Sequence, residues 1–179
     1  MRGGYSTTFA DFQPLRYLEG CRLHLLAKKL AGKCLDKAGI DSPPVTEDII
    51  PLIHTGHPIE VRTLPLKVSH GAVWHIGDEW IIHLNSNDTP SRRMMVLFHE
   101  YFHILASCHS MAFFSGRKPS KKCQVTETLA DIFAAYILMP EEWFRQNCAK
   151  IGDLKQVAEL CGVPETAAYI RCMVNGLVK

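Results

Sequence analysis

The chain has no C-x-x-C pair, although it holds seven cysteines. Zinc ribbons and thioredoxin-type redox motifs are therefore excluded. Cys21, Cys34, Cys108, Cys123, Cys148, Cys161 and Cys172 are odd in number and widely spaced. They read as free thiols of a reducing cytosol, most of them small buried hydrophobes. Met1-Arg2-Gly3-Gly4-Tyr5 is not followed by an apolar run of signal-peptide length. No stretch reaches the ~18 apolar residues of a membrane span. A cytoplasmic location with no membrane partner is expected. Charge of one sign is also scarce: Lys plus Arg is 20 against 18 for Asp plus Glu, a net +2. That balance excludes a strongly polyanion-seeking surface and leaves room only for local patches. Internal repeats and low-complexity tracts are missing too.

What remains is an ordinary globular composition. A chain of 179 residues with 47% hydrophobic and 21% charged side chains can bury a core without disulfides or metal. Residues 1–14 are polar and Gly-containing, and read as a flexible arm. Leu15, Leu18, Leu25, Leu26, Leu30 and Leu35 recur at helical steps, and Gly39 ends that pattern. Ser42-Pro43-Pro44 is a turn; Thr46 is a candidate cap for a short helix that Pro51 kinks or ends. Ile59–Leu64, Ala72–Ile76 and Glu79–Leu84 alternate, which predicts three strands, the last two a hairpin through Gly77-Asp78. Helices are expected over 91–108, 125–138, 141–147, 154–161 and 164–175. The order predicts an α+β domain: one N-terminal helix, a small three-stranded sheet, then helices. Residues 15–179 read as a single domain.

The chemistry concentrates in His99-Glu100-Tyr101-Phe102-His103. Four residues apart on a helix, the two imidazoles share a face and can reach one ion. Zinc prefers four ligands, and a catalytic site leaves one of them to water. Glu100 points off that face and is placed to act on the water as general base. Two satisfied histidines on a half-exposed helix face would give the same five residues. The next helix adds Glu127 and Asp131, one turn apart beside an apolar stripe. Glu127 as third ligand, with Asp131 holding the far nitrogen of a ligand histidine, is the economical reading. Two solvated acids balancing the dipole of a first helical turn are the alternative.

His99-Glu100-x-x-His103, followed by Glu127-x-x-Ala130-Asp131-x-Phe133-Ala134-Ala135-x-Ile137-Leu138-Met139-Pro140, resembles the ImmA/IrrE family of zinc metallopeptidases. Pro43-Pro44-Val45 and Ile82-His83-Leu84-Asn85 also match its pattern, so the resemblance covers about residues 40–175. It implies a minimal zincin-like fold of the gluzincin type. It implies one Zn2+ per chain on His99, His103 and Glu127, Glu100 as the catalytic base, and Asp131 in support. It also implies a protein substrate, often a helix-turn-helix transcriptional repressor, in phages, mobile elements or stress responses. Tyr101-Phe102 departs from the pattern, where small residues are common before the second histidine. Candidate transition-state stabilisers are His75, His83 and Tyr136, and Trp80–Asn85 is a candidate edge strand for pairing with extended substrate.

Residues 150–179 look like a helix-turn-helix with Gly162 at the turn. Its second helix opens Pro164-Glu165-Thr166-Ala167-Ala168 and carries no base before Arg171, which argues against reading DNA. Arg117–Lys122 reads as a basic loop, either solvated or a flap over acidic substrate. The competing function is a DNA- or regulator-binding module with a structural or decayed metal site. The intact Glu100 counts against it, because a structural site needs no general base.

Overall fold

Helix α1 spans Tyr17–Ala38 in the computed structural model, which describes residues 5–7, 17–108 and 121–176. Ala27, Ala31 and Leu35 recur every fourth residue and form its buried stripe. Gly39 ends it at φ +69°, a left-handed conformation that favours glycine. Lys37 Nζ donates to the Ile53 carbonyl at 3.1 Å and ties α1 to the next short helix. That helix, α2 (Ile50–Ile53), follows a 3-10 turn at Glu47–Ile49. Pro51 sits in the first turn of α2, where its missing N–H costs nothing, so it opens the helix instead of ending it. The Thr46 hydroxyl caps no backbone group and donates to Asp48 at 2.9 Å.

The expected strands are present as β2 (Ile59–Leu64), β3 (Gly71–Ile76) and β4 (Glu79–Asn85). Gly77, at φ +61°, turns the β3–β4 hairpin. A further strand, β1 (Tyr5–Thr7), falls within the segment read as a flexible arm and pairs antiparallel with Gly71–Val73. The other residues of that segment lie outside the described ones. Sheet order is β1-β3-β4-β2, with β2 parallel to β4. Strand β4 is therefore paired on both sides, and Trp80–Asn85 is not the edge strand its sequence suggested. Alternation reports which face a side chain takes and carries no information about strand neighbours.

The register sorts the faces. Gly71, Val73 and His75 lie opposite Leu84, Ile82 and Trp80, and Val61 lies opposite Ile82. Helix α3 (Pro90–Cys108) packs on this face: a Cβ built on Gly71 would lie 2.3 Å from Val96 Cγ1. Thr89 caps α3, its hydroxyl accepting from the Arg92 N–H at 3.3 Å, and Pro90 follows at the first helical position. Helix α4 (Lys121–Leu138) lies against α3 and α1. Phe102 stacks on Phe133 with centroids 5.4 Å apart, and Tyr101 reaches the same ring at 6.4 Å. Both are essentially fully buried, so the two bulky residues of the H-E-x-x-H segment are accommodated by filling the α3–α4 seam.

Helix α4 starts four residues before the expected Val125, which takes Lys121 and Lys122 into the helix. The rest of the expected basic loop lies outside the described residues. The chain ends in α5 (Glu141–Ile151), α6 (Leu154–Cys161) and α7 (Glu165–Val174). Asp153 caps α6 by accepting from the Lys155 and Gln156 N–H groups, and Gly162 makes the α6–α7 turn at φ +65°. Val157, Ala158, Cys161, Ala168 and Cys172 join the same core as α3 and α4. Arg171, the only base in α7, turns inward and is 3% exposed. It pairs with Glu141 and stacks 3.6 Å over the Tyr136 ring. No helix among the described residues is long and apolar enough to cross a membrane.

Candidate metal centre

Helix geometry places His99 and His103 on one face of α3, and Glu127 comes from α4 to meet them. The two Nε2 atoms stand 3.1 Å apart. Glu127 Oε2 lies 3.3 Å from His99 Nε2, and its other oxygen, Oε1, lies 3.6 Å from His103 Nε2. A regular tetrahedron of ligands with metal bonds of ~2.0–2.1 Å has edges of roughly 3.3 Å. The Nε2–Nε2 distance and the shortest carboxylate contacts lie near that edge, and one donor atom from each residue falls within a single 4.8 Å cluster, so the set is close enough to hold one ion. Asp131 accepts from His99 Nδ1 at 2.7 Å, which fixes the tautomer and aims Nε2 at the cluster. His99 and Glu100 are 3% and 1% exposed, while the Glu127 and Asp131 side chains keep 37% and 26%. The α3 side of the site is dry and the α4 side is open to water.

The electrostatics favour positive charge at the same point. Burial opposes a proton on His99, but the hydrogen bonds to Asp131 and Glu127 outweigh it and raise its pKa to about 10. Burial and then the neighbouring His99 charge push His103 down to about 4. Burial works against the Glu127 carboxylate, yet the two histidines hold its pKa below the usual range. The surroundings thus favour positive charge on His99, and burial together with that charge disfavours a second imidazolium at His103. A divalent ion satisfies the same field while requiring both Nε2 atoms to be bare.

Glu127 and Asp131 belong to the second and third turns of α4, because the helix begins at Lys121. A first-turn role in balancing the helix dipole is thereby excluded. Glu100 turns off the ligand face toward β3, where a Cβ at position 71 would lie 3.1 Å from its Oε1. Gly71 was not singled out from sequence. Its signal, a glycine opening an alternating strand, has the usual meaning of close backbone approach.

The three candidate stabilisers do not join this cluster. His83 lies opposite Ala72, on the sheet face turned away from α3, near Arg62 and Trp74. His75 shares the face of Gly71 but lies four residues along the strand, about 13 Å, and packs on Trp80 at 4.4 Å. Tyr136 is five residues beyond Asp131, about 140° around the helix, and sits under Arg171. Two polar arrangements were missed. Asn85 Nδ2 donates to the Leu66 and Ser69 carbonyls at 3.2 and 3.1 Å and holds the loop that leads into Gly71. His70 Nδ1 contacts Asp88 at 2.8 Å, and Arg92 Nη2 contacts His70 Nε2 at 3.0 Å.

Asp131→Asn is expected to weaken metal binding about 10–100-fold while leaving the three donor atoms in place, measured by competition with a chromophoric chelator. An unchanged metal affinity would show that the His99–Asp131 contact does not orient the ligand.

A search of curated protein sequences finds no match. Among solved structures, a Mycobacterium tuberculosis transcriptional regulator aligns with a TM-score of 0.56 at 14% identity. The alignment covers 83% of this chain and 45% of that one, so this chain spans less than half of the regulator's length. At that identity the likeness concerns the fold. The peptidase M78 model, described as the IrrE N-terminal-like domain, matches residues 55–173, which include every member of the α3–α4 cluster. With two thirds of its length so matched and the motif residues converging at one point, the chain belongs to the peptidase M78 family of IrrE N-terminal-like domains.

Proposed function

We propose that the protein is a zinc-dependent endopeptidase that cuts a specific regulatory protein, with a helix-turn-helix repressor as the expected substrate. The observation that carries this reading is the convergence of His99, His103 and Glu127 within 4.8 Å, next to the buried carboxylate of Glu100, which stands outside that cluster. His99 and His103 Nε2 and one Glu127 oxygen would hold the ion. Zinc bound there would supply a Lewis acid that polarises a peptide carbonyl and makes water acidic near neutral pH. Glu100 would accept the proton of that water and pass it to the leaving amine. Its burial against Gly71 keeps it from swinging onto the ligand face. Asp131 would keep Nδ1 of His99 protonated, so that only Nε2 can bind metal.

The alternative, a DNA-binding module, loses support from Arg171. The one base of the helix that would enter a groove is buried against Glu141 and Tyr136. The test uses protein reconstituted with one equivalent of zinc and a quenched-fluorescence peptide library. Cleavage is expected, with loss on chelation and recovery on adding zinc but not magnesium. Stoichiometric zinc with no cleavage of peptides or of repressor proteins would sink the reading.

A further inference from the structure

We propose that β1 occupies the edge on which an extended peptide docks, so that the N-terminal segment competes with substrate for the cleft. The inference rests on the peptidase reading of the α3–α4 site. The carboxylate of Glu100 lies beneath Gly71, at the start of β3. One side of β3 is taken by β4, and β4 in turn by β2. The opposite edge of β3 is the sheet border beside Glu100, and β1 fills it with Thr7 opposite Gly71 and Tyr5 opposite Val73. Antiparallel pairing runs β1 toward the Glu100 end of β3. A strand in this position lies one inter-strand spacing, ~4.8 Å, from the residue that abuts the base. Strand addition there uses main-chain bonds, so it accepts many sequences and places successive carbonyls along the cleft.

The occupant is built to be displaced. It spans three residues, at the lower limit of strand length, against the six of β3. A peptide pairing along more of β3 makes more main-chain bonds than β1 does. The surface is thus an interaction site for an extended polypeptide, held in the free protein by the chain's own N-terminal segment.

The test introduces Ser6→Pro with Thr7→Pro. Successive N–H groups of a strand point to opposite sides, so one of the two prolines must remove a bond to β3. The probe is a fluorescein-labelled synthetic peptide with the sequence of residues 2–12. Its binding is followed by anisotropy on full-length Glu100→Gln protein with and without the two prolines, so that turnover does not interfere. At least about tenfold tighter binding to the proline form is expected, with the same gain on deletion of residues 2–8. In the Glu100 background, the prolines are expected to lower KM for a peptide substrate and leave kcat unchanged. Equal affinity in all forms, or no binding in any, overturns the inference. Tighter binding without hydrolysis supports it and instead overturns the peptidase reading; hydrolysis unaltered by the prolines overturns it and leaves that reading standing.

Discussion

Glu100→Gln is expected to retain one zinc ion per chain and to hydrolyse peptides at least about 100-fold more slowly than the wild type, the scale of a lost general base. The amide keeps the volume and shape of the carboxylate at a position only 1% exposed, so the packing against Gly71 and Val96 is preserved. The donor set of His99, His103 and Glu127 is untouched, which is why metal content and activity should separate. An amide oxygen is too weak a base to take a proton from water near neutral pH. Burying an ion also costs more than burying an amide, so the thermal midpoint should not fall. His99→Ala provides the contrast, losing metal and activity together. Metal analysis, thermal melts and kcat/KM decide the case. A Glu100→Gln protein within tenfold of wild-type kcat/KM at equal zinc content would remove Glu100 from the mechanism.

Glu141→Gln is expected to lower the unfolding free energy by roughly 3 kcal/mol, more than Arg171→Met does. The Arg171 guanidinium is 3% exposed, and Glu141 is its only anionic partner among the described contacts. The Tyr136 ring at 3.6 Å and Asn175 at 3.3 Å would remain, and neither neutralises a buried cation. Removing Arg171 instead leaves Glu141 with Lys28 at 3.2 Å and a side chain 19% exposed, so the stranded charge is less costly. The double variant is expected to recover part of the loss, because no charge is then stranded. Urea melts of the four proteins measure all of this, and additive losses would show that the pair is not coupled.

Acid should act in the same direction. Burial raises the Glu141 pKa, but the Arg171 charge and the hydrogen bonds from Arg171 and Lys28 outweigh it and hold the folded value below 4.5. A depressed folded pKa contributes stability that is complete above about pH 4.5 and is lost as pH falls through the folded value. Wild type should therefore lose stability more steeply below that pH than Glu141→Gln does.

The H-E-x-x-H segment was legible because an α-helix puts residues four apart on one face whatever surrounds it. The same local rule paired Glu127 with Asp131, and a turn glycine marked the β3–β4 hairpin. Pairings between distant segments were not legible. Nothing in the alternation of Ile59–Leu64 says that it lies parallel to β4, nor that Tyr5–Thr7 would reach β3. Those choices depend on loop closure and on which edges are left unpaired. The burial of Arg171 was not legible for a related reason: the partners that draw it inside, Tyr136 and Glu141, stand on α4 and α5, 30 or more residues away in sequence.

The sequence by itself determined the chemical inventory: two imidazoles and a carboxylate on one helix, two further carboxylates on the next, and thiols without ligand spacing. Only the tertiary structure decided that Glu127 Oε2 stands 3.3 Å from His99 Nε2, that Glu100 is held beneath Gly71, and that β1 covers the adjacent sheet edge. The division follows from how each is set. The backbone fixes side-chain geometry within a helix over one turn, whereas the separation of two helices and the neighbour of a strand are set by the packing of Phe102, Tyr101 and Phe133 and by strand pairing across distant parts of the chain.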